Sequence, residues 1–277
     1  MNRYIFLLLS IVVCQVTLSA KIKETEIIDS ALIKVVYRRT MVTDTLRPRE
    51  KFKEDIITLF AGKRGSAFYS EERRVHEEAM QNEEYLLKLL QDENAFGSKA
   101  ELEETAIFRN NANNTTIENL RYDLTAWQLK EVTEYPKWNV TDSVQNVLGY
   151  ECLMATTDFR GRTWIAFFSP EIAIAEGPWK LCGLPGIILK AADDKGHYTF
   201  EAISLQTENI GKVEYFNFAD RYPIRDRRKA LLHRNKALNE NVINKIKAST
   251  GIDTDAMPPT LKTKNNYDFE ETDYHHK

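Results

Sequence analysis

The sequence predicts an α+β fold: a mainly antiparallel, strongly curved sheet (an open or half barrel) with one inserted helix and one C-terminal helix. Two observations carry this expectation. Short runs rich in β-branched and aromatic residues recur along the chain with turn residues between them, as in hairpins and meanders. Helical composition and spacing are confined to two stretches, 70–96 and 225–249.

The elements follow in order. Residues 1–20 (MNRYIFLLLSIVVCQVTLSA) read as a signal peptide. Arg3 gives a positive start, residues 5–13 are apolar but too short to span a bilayer, and Ser19 and Ala20 are small enough for cleavage. Cys14 makes a poor lipid-acceptor site, because Val12 and Val13 stand where small residues are wanted. No later apolar stretch is long enough to cross a membrane. The rest is expected to form one domain, 21–256, and an irregular, mobile, acidic-aromatic tail, 257–277.

Within the domain, 30–43 (SALIKVVYRRTMVT), 55–62 and 66–70 are expected strands of a meander. Residues 70–96 are dense in Glu, Gln, Lys, Leu and Met, with Ser70 as N-cap and Glu71 and Glu72 in the first turn. Strands are expected at 105–110 and 115–122. Residues 124–135 alternate without a clear buried face. From 145 the signals strengthen: VLGYECLMATTDF, a turn at Arg160-Gly161, then RTWIAFFS, a hairpin. Residues 170–176 alternate Ile172 and Ile174. A second hairpin joins IILKAAD to HYTFEAISLQT through 193–196. The last helix places Leu231, Leu238, Val242 and Ile246 on one face.

Charge and chemistry narrow the function. A net charge of -3 with 29% charged residues argues against nucleic-acid binding, which needs a basic excess. Gly183-Leu184-Pro185-Gly186 lacks the Lys and hydroxyl of a phosphate loop and the spacing of a dinucleotide loop. His76-Glu77-Glu78 lacks a second histidine, so no metal site is expected, and no cofactor. An envelope enzyme would have to use Cys152, Cys182 or His197, none of which has a local catalytic signature. After export, Cys152 and Cys182 are candidates for a disulfide; the alternative is two buried free thiols. Arg221, Arg225, Arg227 and Arg228 cluster at the start of the last helix, against its dipole. They suit an acidic partner, or else a solvated face paired with Asp220 and Asp226.

The run GYECLMATTDFRGRTWIAFFSPEIAIAEGPWKLCGLPGIIL, 149–189, resembles the GLPGLI family of exported Bacteroidetes proteins. Gly149-Tyr150 with Cys152, Ala155-Thr156, Phe159-Arg160-Gly161-Arg162, Pro170-Glu171-Ile172, Gly177-Pro178-Trp179 and Gly183-Leu184-Pro185-Gly186 come in the family's order. Ile187-Ile188 replaces the family's Leu-Ile. The resemblance implies an exported periplasmic or envelope protein, in some cases linked to a TonB-dependent outer-membrane receptor, and carries over no catalytic residue. A non-enzymatic binding role follows as the expectation. In a carrier version, Trp164, Phe167, Phe168 and Trp179 would line a concave face for a hydrophobic ligand. In a third version the chain displays its acidic tail to a partner.

Overall fold

The computed structural model describes residues 24–91, 105–122, 125–239, 266 and 269–275. The expected signal peptide, 1–20, and the expected helical stretches beyond Gln91 and Asn239, with Val242 and Ile246, lie outside the described residues.

The chain runs through β1 (Glu24–Ser30), β2 (Ile33–Val42), β3 (Phe52–Ala61) and β4 (Gly65–Tyr69), then α1 (Glu71–Ala79) and α2 (Glu83–Gln91). Next come β5 (Ala106–Asn110), β6 (Thr115–Tyr122), β7 (Thr125–Val132), β8 (Asn139–Val147), β9 (Tyr150–Phe159) and β10 (Arg162–Ser169). After a long loop follow β11 (Ile187–Asp193), β12 (Tyr198–Gln206), β13 (Lys212–Asn217), β14 (Tyr222–Ile224), α3 (Arg227–Asn239) and a short 3-10 turn, Asp273–His275. Twelve strands form one open sheet in the order β14-β7-β6-β5-β4-β3-β2-β12-β11-β10-β9-β8, and β1 pairs with β13 in a separate ribbon. Among the described strands, all pairings are antiparallel except β14 with β7.

The α+β class and the antiparallel sheet are as expected, with differences in detail. The inserted helix is two helices, because the Asn82 side chain accepts from the backbone N–H groups of Glu84 and Tyr85 and restarts the chain as a cap. Residues 170–176 are not a strand: the Ile174 N–H turns back to the Ile172 carbonyl. The ambiguous 124–135 does form β7, which has work on both faces. Its Glu131 turns to the long loop while its Gln128 bonds Asn119 and Tyr215 on the other side.

Two apolar cores result, one on each side of the sheet. The larger runs from Ile33, Val35 and Tyr37 through Phe68 and Ile107 to Trp164, Phe168 and Phe200. The smaller joins Phe60, Tyr69 and Phe108 to Val213, Tyr215 and Phe216, so the β1–β13 ribbon lies over that face. No helix among the described residues is long and apolar enough to cross a membrane.

Candidate functional site

The loop 170–186 between β10 and β11 lies across the face of the larger core. Its two limbs pair with each other: the Gly183 N–H donates to the Ala175 carbonyl (2.9 Å), and the Ile188 N–H to the Glu176 carbonyl (3.0 Å). Pro178 opens a turn closed by the Leu181 N–H at 3.1 Å. Trp179 within it has φ +54°, a left-handed conformation uncommon for a bulky residue and held here by complete burial of the ring. Gly183 has φ +88°, which its missing Cβ permits. A Cβ at Gly186 would overlap the Ser169 carbonyl.

Two charged side chains of the loop meet a row of charges that β4–β7 present to it. Glu176 accepts from Arg109 of β5 and from the Ser66 hydroxyl of β4 (3.0 Å), all buried. Lys180 reaches Glu118 of β6 at 2.7 Å, Glu131 of β7 at 3.1 Å and Glu271 of the C-terminal segment at 2.5 Å. Arg160, at the β9–β10 turn, pairs with Glu131 (3.2 Å), Glu134 (3.1 Å) and Glu271 (3.8 Å). Arg227 at the start of α3 closes the cluster on Glu271 and on Asp273, the latter at 2.8 Å.

Burial and charge set the protonation of these groups. Burial works against the Lys180 ammonium, but the charges of Glu118, Glu271 and Glu131 outweigh it and raise its pKa well above the ordinary value. Burial alone would raise the Glu271 pKa; Lys180, Arg227 and Arg160 overcome it and hold the carboxyl down at about 2. Glu118 is displaced upward, by burial and the neighbouring Glu271 charge acting against Lys180. The cluster fastens the loop in place. An ammonium held this firmly has no free amine with which to attack a carbonyl at neutral pH.

Cys152 and Cys182 are buried free thiols, so the expected disulfide is not formed. Each has its own surroundings. The Cys152 thiol donates to the Tyr150 carbonyl within β9, while the Cys182 carbonyl accepts from the Trp138 indole and its thiol lies in the field of Arg109 and Glu176. Burial pushes both thiols up to about 11, leaving almost no thiolate at neutral pH. His197 sits in the β11–β12 turn, where its carbonyl accepts from Val42.

Trp164, Phe168 and Trp179 are core residues; Trp164 packs against Trp179 (5.3 Å between ring centres) and Phe200 (6.2 Å), while Phe167 is half-buried. They do not line an open face. Two grooves open instead on the ribbon side. One, about 270 Å³, lies among Glu24, Glu26, Gln128, Lys130 and Tyr215; the other, about 620 Å³, lies among Lys34, Phe60, Arg74 and Glu214.

The remaining motif residues shape turns. Leu148 and Gly149 (φ +54° and +88°) make the β8–β9 turn, and Arg160 and Gly161 (φ +55° and +84°) the β9–β10 turn. Both pairs have the two positive φ values that a two-residue hairpin needs. Tyr150 starts β9, half-buried against the larger core, where Leu184 is buried. Gly177 has no room for a Cβ beside Ile188. Pro185 precedes the close approach at Gly186. Arg162 is buried and bonds Asp193 at 2.6 Å.

The arginine cluster is largely used within the chain. Arg221 bonds Asn217 and the Leu120 carbonyl, Arg227 holds Glu271 and Asp273, and Arg228 donates to the Tyr274 carbonyl. Arg225 is exposed. Arg227 is the member of the group that takes carboxylates of the chain's own tail, whereas Arg221 lies 3.7 Å from Glu77. Residues 269–275, expected to be mobile, are docked, with Phe269, Glu270, Glu271 and Tyr274 buried. Sequence reasoning passed over Lys180, Glu118 and Glu131, and took Arg160 only as a turn and motif residue. Lys180 had a signal, as the one charged residue in GPWKLCGLPGIIL.

No protein-family model matches the sequence, and no curated protein is significantly similar to it. Two crystal forms of PNGF-II resemble the structure, each with a TM-score of 0.48. The P21 form is 15% identical and is matched over 74% of this chain and 33% of its own; the C2 form is 14% identical and is matched over 77% and 36%. The chain thus spans about a third of the length of the structures it matches.

Proposed function

We propose that this chain is an exported, non-enzymatic binding or accessory protein of the cell envelope, of the GLPGLI type, serving an outer-membrane receptor as partner. One observation carries the non-enzymatic part: the reactive groups of the motif segment are spent inside the fold. Lys180 is fixed between three carboxylates, and the Cys152 and Cys182 thiols are buried and protonated. The packed Trp164–Trp179–Phe200 interior leaves the carrier version without support.

The sheet in this reading is a half barrel. The Arg160–Glu131 ion pair supports it: their strands, β9 and β7, stand nine places apart in the sheet, about 40 Å if it were flat. The contact of Phe68 with Phe200, from strands three places apart, points the same way.

Expression of the full chain in a Gram-negative host, followed by fractionation and intact-mass measurement, tests the proposal. Export gives an envelope or periplasmic product shortened by residues 1–20. An unprocessed cytoplasmic product refutes it. Capture from envelope extracts should then recover one outer-membrane receptor.

A further inference from the structure

Cations that grip the C-terminal segment also hold carboxylates of the sheet. Lys180 keeps Glu118 and Glu131 besides Glu271, and Arg160 keeps Glu131 and Glu134. Arg162 keeps Asp193 while donating to the Phe269 carbonyl. Breaking a buried ion pair is costly when it strands a charge. Departure of residues 269–275 would strand none of these three. Arg227, which takes Glu271 and Asp273 from the segment, is 21% exposed and can turn to water.

The seat is also shaped to the segment. The Thr272 N–H donates to the Arg160 carbonyl at 2.9 Å, and the Thr272 hydroxyl to the Gly161 carbonyl at 2.8 Å. A Cβ at Gly161 would stand 2.5 Å from Thr272 Oγ1 and from the Asp273 nitrogen, so only glycine leaves room. Phe269 and Tyr274 are buried at either end as apolar anchors.

We propose that the notch formed by Lys180, Arg160, Gly161 and Arg227 is a binding seat for an acidic peptide segment flanked by aromatic residues. The chain's own residues 269–275 fill it by default, and a partner protein's segment of the same chemistry displaces them. Recognition rests on three cations around one carboxylate, two backbone-directed bonds from a threonine and two ring anchors. None of this depends on where the chain resides, so the seat stands or falls independently of export.

The test uses a fluorescein-labelled synthetic peptide of residues 265–277 and the full-length chain. Anisotropy titrations compare the unaltered chain with a Glu271→Ala, Asp273→Ala variant whose own tail grips weakly. The variant should keep its strand circular dichroism and bind the peptide about 10-fold more tightly than the unaltered chain, whose seat is occupied. Raising salt from about 0.05 to 0.5 M should weaken binding, and a peptide bearing the same two substitutions should not bind. A variant that unfolds, or one that folds and binds no better, overturns the proposal. Hydrogen exchange on the unaltered chain gives a second reading. The Thr272 amide should exchange about 100-fold faster than core amides such as Ala166, through local opening. Equal protection of the two would make the segment part of the core and sink the idea.

Discussion

A Cβ at position 186 would run into the carbonyl of Ser169, with Pro170 just behind it, so backbone rather than a flexible side chain would have to move. Gly186→Val is therefore expected to lower the melting temperature by several degrees, about 1–3 kcal/mol, in a thermal melt. An unchanged melt would mean that the loop limb has slack. The cysteines give a chemical check on the same region. With both thiols buried and at about 11, they should resist alkylation in the native chain at pH 8. Both should react after unfolding without reductant, whereas a disulfide would keep them silent. The glycine turns were legible at this scale, because glycine spacing is a local fact; the state of the two cysteines was not, because the fold decides whether they meet. The partners of Lys180 were not: Glu118, Glu131 and Glu271 come from three distant segments, and nothing local ties them together.

At the scale of elements, strong periodicity was legible and weak edges were not. The hairpin β9–β10 and the strands β2 to β6 follow runs of β-branched and aromatic residues. The ribbon strands β1 (ETEIIDS) and β13 (KVEYFN) hide among polar residues because they pair with each other above the sheet. The tail was misread for a related reason. Its acidic composition suits a solvated segment, yet Arg227 and Lys180 neutralise Glu271 where it is buried. The helix start was read correctly: the Ser70 side chain accepts from the Arg73 N–H at 3.3 Å, and Glu71 and Glu72 follow in the first turn. Ser70→Ala should cost about 1 kcal/mol in chemical denaturation, by orphaning that donor. Ser70→Gly should cost only a few tenths, because glycine leaves the N–H open to water. Equal effects from both would show that the hydroxyl plays no capping role.

On the scale of the whole molecule, the charge cluster joins segments that the chain order keeps far apart, and its contribution depends on pH. Glu271 has a folded pKa of about 2 against an ordinary 4.5. A carboxyl depressed in the folded state adds stability above its unfolded pKa and loses it as pH falls through the folded one. The shift corresponds to about 3 kcal/mol. The stability gap between the unaltered chain and Glu271→Gln should thus be full above pH 4.5 and close toward pH 2. A gap that does not vary with pH would assign its cost to packing instead. Arg160 with Glu131 bears on the proposed half barrel, in which the β9–β10 turn would come round to β7. A double-mutant cycle of Arg160→Gln and Glu131→Gln measures that contact free of each residue's other partners, Glu134 and Lys180 among them. In the half barrel the two substitutions should couple by about 0.5–3 kcal/mol, the range for residues in direct contact. In a flatter sheet they would lie tens of ångströms apart, and their effects would simply add. Additive effects would therefore count against the half barrel even if the sheet order and every hairpin stood unchanged.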